Sequence, residues 1–133
     1  MKKSKLPNKP SELCRVALND LAKCRKDPRY VIDMMHWHLP VDENYCAVCL
    51  AGSVMAQTFN APINQEFRPN QFGVDRYKLL ALNEFREGMI AFGLRELQIE
   101  LPEDMPIVVH SLSGDTTEMI VEKVIAELEK FNL

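Results

Sequence analysis

The sequence HWHLPVDENYCAVCLAGSVMA, which runs from His36 to Ala56, decides the fold of this chain. It holds two of the three histidines, the only tryptophan and two of the four cysteines. Its second half is built from small and apolar side chains, a composition typical of a helix that is buried on nearly every side. The pattern predicts a helix over residues 43–58 that lies at the centre of the core.

Three further segments space their apolar residues as helices do. Ser11 is the predicted N-cap of a helix over residues 11–26, and Asp75 is the predicted N-cap of another helix. Asp115, with Glu118 three residues later, resembles a capping box and predicts the start of the last helix.

The remaining segments favour extended or irregular chain. Apolar and polar residues alternate only in part of residues 30–39, so this segment is compatible with either a strand or a helix. Ile107–Val109 is predicted to form a short strand, and residues 60–73 a long loop. The sequence therefore predicts a mainly α fold, a single-domain bundle of four to five helices with at most a short two-stranded β element.

Length and composition are typical of one globular domain, since the 133 residues are 47% hydrophobic and 26% charged. Residues 1–10 hold four lysines and are predicted to form a flexible basic tail, followed by a single globular helical domain over residues 11–133. No apolar run is long enough to cross a bilayer, and no signal-type segment follows the tail. We therefore expect a cytoplasmic protein with no membrane partner. The net charge of −3 disfavours a nucleic-acid partner, because phosphate-binding domains usually carry excess Lys and Arg.

Two kinds of chemistry are compatible with the histidines and cysteines. His36, His38, Cys46 and Cys49 are four side chains of the types that bind zinc, although one Cys-x-x-Cys pair is less specific than two. Alternatively, Cys46 near a helix N-terminus could be a nucleophile, with His36, His38 or His110 as its base. Free cysteine is, however, most often a small buried apolar residue. We therefore predict structural cysteines, no catalytic residue and no cofactor, with zinc and a cysteine enzyme as alternatives.

A recognition surface is predicted from the tryptophan and the polar loop. Trp37 lies between two histidines and could present an aromatic platform to a partner. Binding residues concentrate on long loops, and the loop after residue 60 is rich in polar side chains. The predicted binding residues are Trp37, Asn64, Glu66, Arg68 and Asn70.

A longer pattern is formed by Trp37-x-x-Pro40, Cys46-x-Val48-Cys49-Leu50-Ala51-Gly52-x-x-Met55-Ala56 and Leu79-Leu80-Ala81-Leu82-Asn83-x-Phe85-Arg86-x-Gly88. Over about residues 30–97 it resembles a family of small proteins carried by tailed phages and prophages. The resemblance brings no activity and assigns no role to any residue. It implies a host-cell cytoplasm and an accessory role through protein–protein interaction. We therefore expect a protein partner, or a second copy of this chain.

Overall fold

A computed structural model describes residues 4–133, so residues 1–3 of the predicted basic tail lie outside the described residues. The described part contains five α-helices, a three-stranded sheet and a 3₁₀ segment. The mainly α fold class is thereby confirmed, and the sheet has one strand more than predicted. The elements in chain order are α1 (Pro10–Lys26), β1 (Tyr30–Ile32), β2 (His38–Pro40), β3 (Cys46–Val48), α2 (Leu50–Gln57), the 3₁₀ segment Pro69–Asp75, α3 (Arg76–Arg86), α4 (Ile90–Glu96) and α5 (Thr117–Lys130).

The central segment differs from the single helix predicted over residues 43–58. Its first part, Cys46–Val48, is strand β3, and only Leu50–Gln57 is helical. The strand forms because β3 has a partner on each side, and two ladders of backbone hydrogen bonds outweigh the helical preference of a short segment. Burial is as predicted for the helical part, since every residue from Leu50 to Ala56 is buried.

The sheet has the order β1-β3-β2, with β3 parallel to β1 and antiparallel to β2. Successive side chains of a strand point to opposite faces. The inner face carries Cys46 and Val48, which pack with Cys24 of α1 and Ala56 of α2. On the opposite face, Ala47 lies in the middle of the sheet. The parts of this face that surround Ala47 belong to the molecular surface.

The helix starts are only partly those expected from the sequence. Ser11 lies inside α1 and not at its N-cap, and its hydroxyl donates to the carbonyl of Leu133 at 3.0 Å. This bond joins the first helix to the end of the chain. At α5 the cap is Thr116, whose hydroxyl accepts from the N–H of Met119 at 3.2 Å, and Asp115 lies one residue earlier. Threonine and aspartate are both preferred N-cap residues, so the sequence alone does not distinguish Thr116 from Asp115.

Residues 4–9 lie against the domain, which differs from the flexible tail predicted over residues 1–10. Leu6 is only 4% exposed and belongs to the main core. The ammonium of Lys78 on α3 donates to the carbonyl of Leu6 at 2.8 Å and to Oδ1 of Asn8 at 2.7 Å. Asp75 is the residue before α3, but its carboxylate does not cap that helix and accepts instead from the N–H of Lys5 at 2.9 Å. An apolar anchor and a buried ion pair thus fix this segment.

The strand predicted at Ile107–Val109 is not formed. The N–H of Val109 donates to the carbonyl of Gly88 at 2.7 Å, and the carbonyl of Ile107 accepts from Ala91 at 3.4 Å. The segment therefore bonds to the turn before α4 and to the first turn of α4, where no neighbouring strand is available. None of the helices within residues 4–133 combines the length and the apolar character needed to span a bilayer.

Candidate functional site

A cleft of about 480 Å³ lies between two short segments of the surface. One wall is Met35–Leu39 and the other is Glu66–Arg68. The walls are joined by the N–H of Phe67, which donates to the carbonyl of His38 at 3.0 Å, and by Nδ1 of His38, which lies 2.9 Å from the carbonyl oxygen of Gln65. The loop wall is therefore fixed to strand β2. We call this site the His–Trp–His cleft.

The cleft combines an exposed apolar side chain with charged ones. Met35 is 85% exposed and lies in a turn, where its N–H donates to the Asp33 carboxylate at 2.9 Å. Arg68 forms an exposed ion pair with Glu66 at 3.1 Å. Such exposed pairs add little stability, so both side chains remain available to a partner at small cost.

Three of the five predicted binding residues line this cleft. Trp37 is on the strand wall and packs partly against the core, while Glu66 and Arg68 are on the loop wall. Asn64 and Asn70 are exposed but do not line the cleft. The tryptophan and the loop were predicted separately, and the fold places them at one site.

Of the four predicted zinc ligands, only His38 and Cys46 lie close together. The sulfur of Cys46 lies 3.5 Å from Nδ1 and 3.7 Å from Nε2 of His38. His36 is at the surface, 3.8 Å from the Asp33 carboxylate, and the Cys49 thiol faces the carbonyl of Trp37 at 3.8 Å. Across residues 4–133 there is no group of three or more His, Cys, Asp or Glu side chains arranged to hold a metal ion.

The contact between His38 and Cys46 favours two neutral groups. Burial raises the pKa of Cys46 to about 11, and burial also lowers the pKa of His38. A catalytic thiolate–imidazolium pair needs both shifts in the opposite direction. The sulfur is almost equally far from both ring nitrogens, so it lies against the ring and not in line with one N–H.

The helix N-terminus predicted at Cys46 is wrong, because Cys46 lies within β3. The cysteine at the N-cap of α2 is Cys49, whose sulfur accepts from the N–H of Gly52 at 3.3 Å. Burial nevertheless raises the pKa of Cys49, and this effect exceeds the lowering by the Gly52 N–H and by Arg86. Cys49 lines a second cleft, of about 170 Å³, that also contacts Trp37.

His110, one of the three candidate bases, is not placed beside Cys46. It lies on the exposed loop before α5 and lines a separate cleft with Lys123. Cys46 is fully buried and, within the described chain, makes no hydrogen bond to His110. The two residues therefore do not form a nucleophile and base.

The sequence did not indicate the apolar face of the sheet that borders the cleft. Val31 and Leu39 both lie opposite Ala47, and Val41 and Tyr45 continue the same ladder through a bond of 2.9 Å from the Val41 N–H to the Tyr45 carbonyl. Val31, Val41 and Tyr45 are 47%, 63% and 46% exposed. We call these five residues the outer face. The partial alternation in residues 30–39 was the available signal, but the face is visible only when Ala47 is placed on a strand.

No protein-family model, curated protein or solved structure matches this chain. The resemblance to phage and prophage proteins therefore stays a prediction.

Proposed function

We propose that the protein binds a protein partner at the outer face and the adjoining His–Trp–His cleft, and that it performs no chemistry of its own. The observation that carries this proposal is the exposure of large apolar side chains, above all Met35 and Val41, in one region. Following the resemblance, we further propose that it is an accessory factor of a phage or prophage in the host-cell cytoplasm.

The two surfaces are continuous, which supports a single interface. Leu39 belongs to the outer face and also lines the cleft. Large apolar groups that stay exposed beside charged ones are typical of interfaces, in which an apolar centre is enclosed by a polar rim. Met35 is an adaptable side chain of the kind used at binding surfaces.

The placement of the cations on α1 supports a protein partner over a nucleic acid. Arg15 forms an ion pair with Glu129 of α5, and Arg25 forms one with Glu118, both at 2.8 Å. Each of these arginines has a carboxylate beside it, which reduces the local positive potential on which phosphate binding depends. The zinc and cysteine-enzyme alternatives rest only on the buried contact of His38 with Cys46, and both pKa shifts in that pair oppose thiolate chemistry.

The test is site-specific crosslinking in the cells where the protein naturally occurs. A photo-crosslinking amino acid replaces Met35 in one variant, Val41 in a second and Met119 in a control. Met119 is 45% exposed on α5, so the control probe is also accessible. We expect defined adducts from the first two positions and none of the same mass from the control.

The adduct masses also identify the kind of partner. An adduct of twice the chain mass indicates a second copy, and any other defined mass indicates a different protein. If positions 35 and 41 give no adduct, or give the same adducts as position 119, the proposed interface is wrong.

A further inference from the structure

We infer that the outer face binds a cationic amphipathic helix of the partner protein. This inference rests on the proposed function and adds the chemistry of the partner. Two observations carry it, namely the shape of the outer face and the sign of the charges around it.

The outer face has the width of one helix. Val31, Ala47 and Leu39 lie side by side on the three strands. Neighbouring strands are about 4.8 Å apart, so the face is about 10 Å across, close to the diameter of an α-helix with its side chains. Ala47 lies in the middle and is only 2% exposed, so the accessible apolar surface of the face is formed mainly by Val31, Val41 and Tyr45. Val41 and Tyr45 extend the face along the strand direction.

The surroundings of the outer face are acidic. Residues 27–45 contain four carboxylates and one arginine, so this segment has a net charge of −3 with neutral histidines, as large as that of the whole chain. Arg29 is already paired with Asp27 at 2.8 Å. Asp42 and Glu43 are exposed in the turn between Val41 and Tyr45, and Asp33 follows β1. A cationic partner gains from these charges, whereas nucleic acid and anionic lipid are repelled.

A helix fits this surface better than an added strand. The β2 edge is already bridged by the N–H of Phe67, which bonds to the carbonyl of His38. The other edge, β1, is only three residues long, so strand addition there gives few backbone hydrogen bonds. Apolar residues at helical spacings of i, i+4 and i+7 span about 10 Å along the helix and can cover the exposed apolar side chains of the outer face.

The test uses two synthetic helical peptides and the full chain. Both peptides have the same leucine face, and the flanking positions are lysine in one and glutamate in the other. Titration calorimetry at low and at high salt measures the two dissociation constants. We expect the lysine peptide to bind, its affinity to fall with salt, and the glutamate peptide to bind at least about tenfold more weakly.

Variants locate the binding on the molecule. Val41→Ser should weaken binding of the lysine peptide by about tenfold, because it removes the most exposed apolar side chain of the face, which is 63% exposed. Asp42→Asn combined with Glu43→Gln should weaken it by about threefold to fivefold at low salt and hardly at high salt. Asparagine at 42 can keep the bonds that Asp42 accepts from Asn44 and Tyr45. Glu103→Gln is the control for the loss of an exposed carboxylate outside residues 27–45, and we expect no change there.

Several outcomes overturn the inference. These are no binding of the lysine peptide, equal binding of the glutamate peptide, or the same loss in Glu103→Gln as in the rim variants. A dimer in sedimentation velocity that Val41→Ser abolishes also overturns it, because the occupant is then a second copy. The proposed function is judged separately, since crosslinks at position 41 without peptide binding leave the interface in place and refute only the cationic helix.

Discussion

Gly52 is the position at which the fold leaves least room for a change. It lies in the first turn of α2, and a Cβ atom built there is 1.5 Å from the carbonyl oxygen of Trp37 and 3.2 Å from Cβ of Val48. A carbon–oxygen contact needs about 3.3 Å. Gly52→Ala therefore forces α2 and the chain at Trp37 apart by roughly 1.8 Å, the difference between these two distances.

The cost follows from the contacts at that carbonyl. Overpacking a buried site costs about 1–3 kcal/mol. The Trp37 carbonyl also accepts the N–H of Cys49 at 3.3 Å, and weakening that bond adds about 1 kcal/mol. Alanine gains about 1 kcal/mol over glycine as a helix former. The weakened bond and the helix-forming gain of alanine nearly cancel, and the large displacement places the overpacking cost at the upper end of its range. We expect a net loss of about 3 kcal/mol in the free energy of unfolding, which lowers Tm by about 10 °C in a chain of this size.

Urea denaturation and thermal circular dichroism measure these losses. The control is Gly73→Ala, where φ is 59°, ψ is −128° and no atom lies within 4 Å of the added Cβ, so only the strained backbone conformation costs energy, about 1–3 kcal/mol. Trp37 fluorescence should shift in Gly52→Ala and stay unchanged in the control. If Gly52→Ala loses no stability and leaves the emission of Trp37 unchanged, the close approach of α2 to this carbonyl is refuted.

Three further predictions concern the buried polar groups. Iodoacetamide should label Cys46 in the native protein only as fast as the protein unfolds, because the thiol is buried and burial raises its pKa to about 11. Mass spectrometry measures the labelling rate, and rapid labelling of Cys46 in the folded protein contradicts the prediction. Burial lowers the pKa of His38, so the unfolded chain binds more protons below about pH 6.5, and the free energy of unfolding should fall as the pH falls from 7 to 5. His38→Gln should flatten this slope in urea titrations, and an identical slope refutes the assignment. Lys78→Met should cost about 3 kcal/mol and increase proteolysis before residue 10, because it leaves the Asp75 carboxylate and the Leu6 carbonyl without their buried cation.

The helical part of the fold was predictable because its signals are local. The spacing of apolar residues in α1, α3 and α5 and the small side chains of Leu50–Gln57 were sufficient for the helices and the central burial. Strand β3 was not predictable in the same way, because Cys46–Val48 becomes a strand only when β1 and β2 lie on either side. Those partners come from other parts of the chain.

Long-range packing also decided the N-terminal segment. Four lysines in ten residues indicate a solvated tail, yet one leucine among them packs in the core. The acceptors of Lys78 are Ser4, Leu6 and Asn8, about seventy residues away in sequence. No local pattern in residues 1–10 reveals that a buried ammonium on α3 needs them.

The site was predicted in pieces. Trp37, Glu66 and Arg68 were selected for separate reasons, and the bonds of His38 to Phe67 and Gln65 join them into one cleft. Both cysteines were predicted to lie in one helix that began before Cys46, whereas Cys46 lies in a strand and Cys49 is the N-cap of α2. The early helix start also hid the outer face, because a strand at Cys46–Val48 places Ala47 on the same face as Val31 and Leu39.

The central claim is that the apolar surface around the outer face carries the function. The most direct measurement places the photo-crosslinking residue at position 35 and adds either Val41→Glu or the matched Met119→Glu. We expect the partner adduct to be lost with Val41→Glu and kept with Met119→Glu, while both variants remain folded by circular dichroism. If the adduct survives Val41→Glu at its original yield, the outer face is not part of the interface.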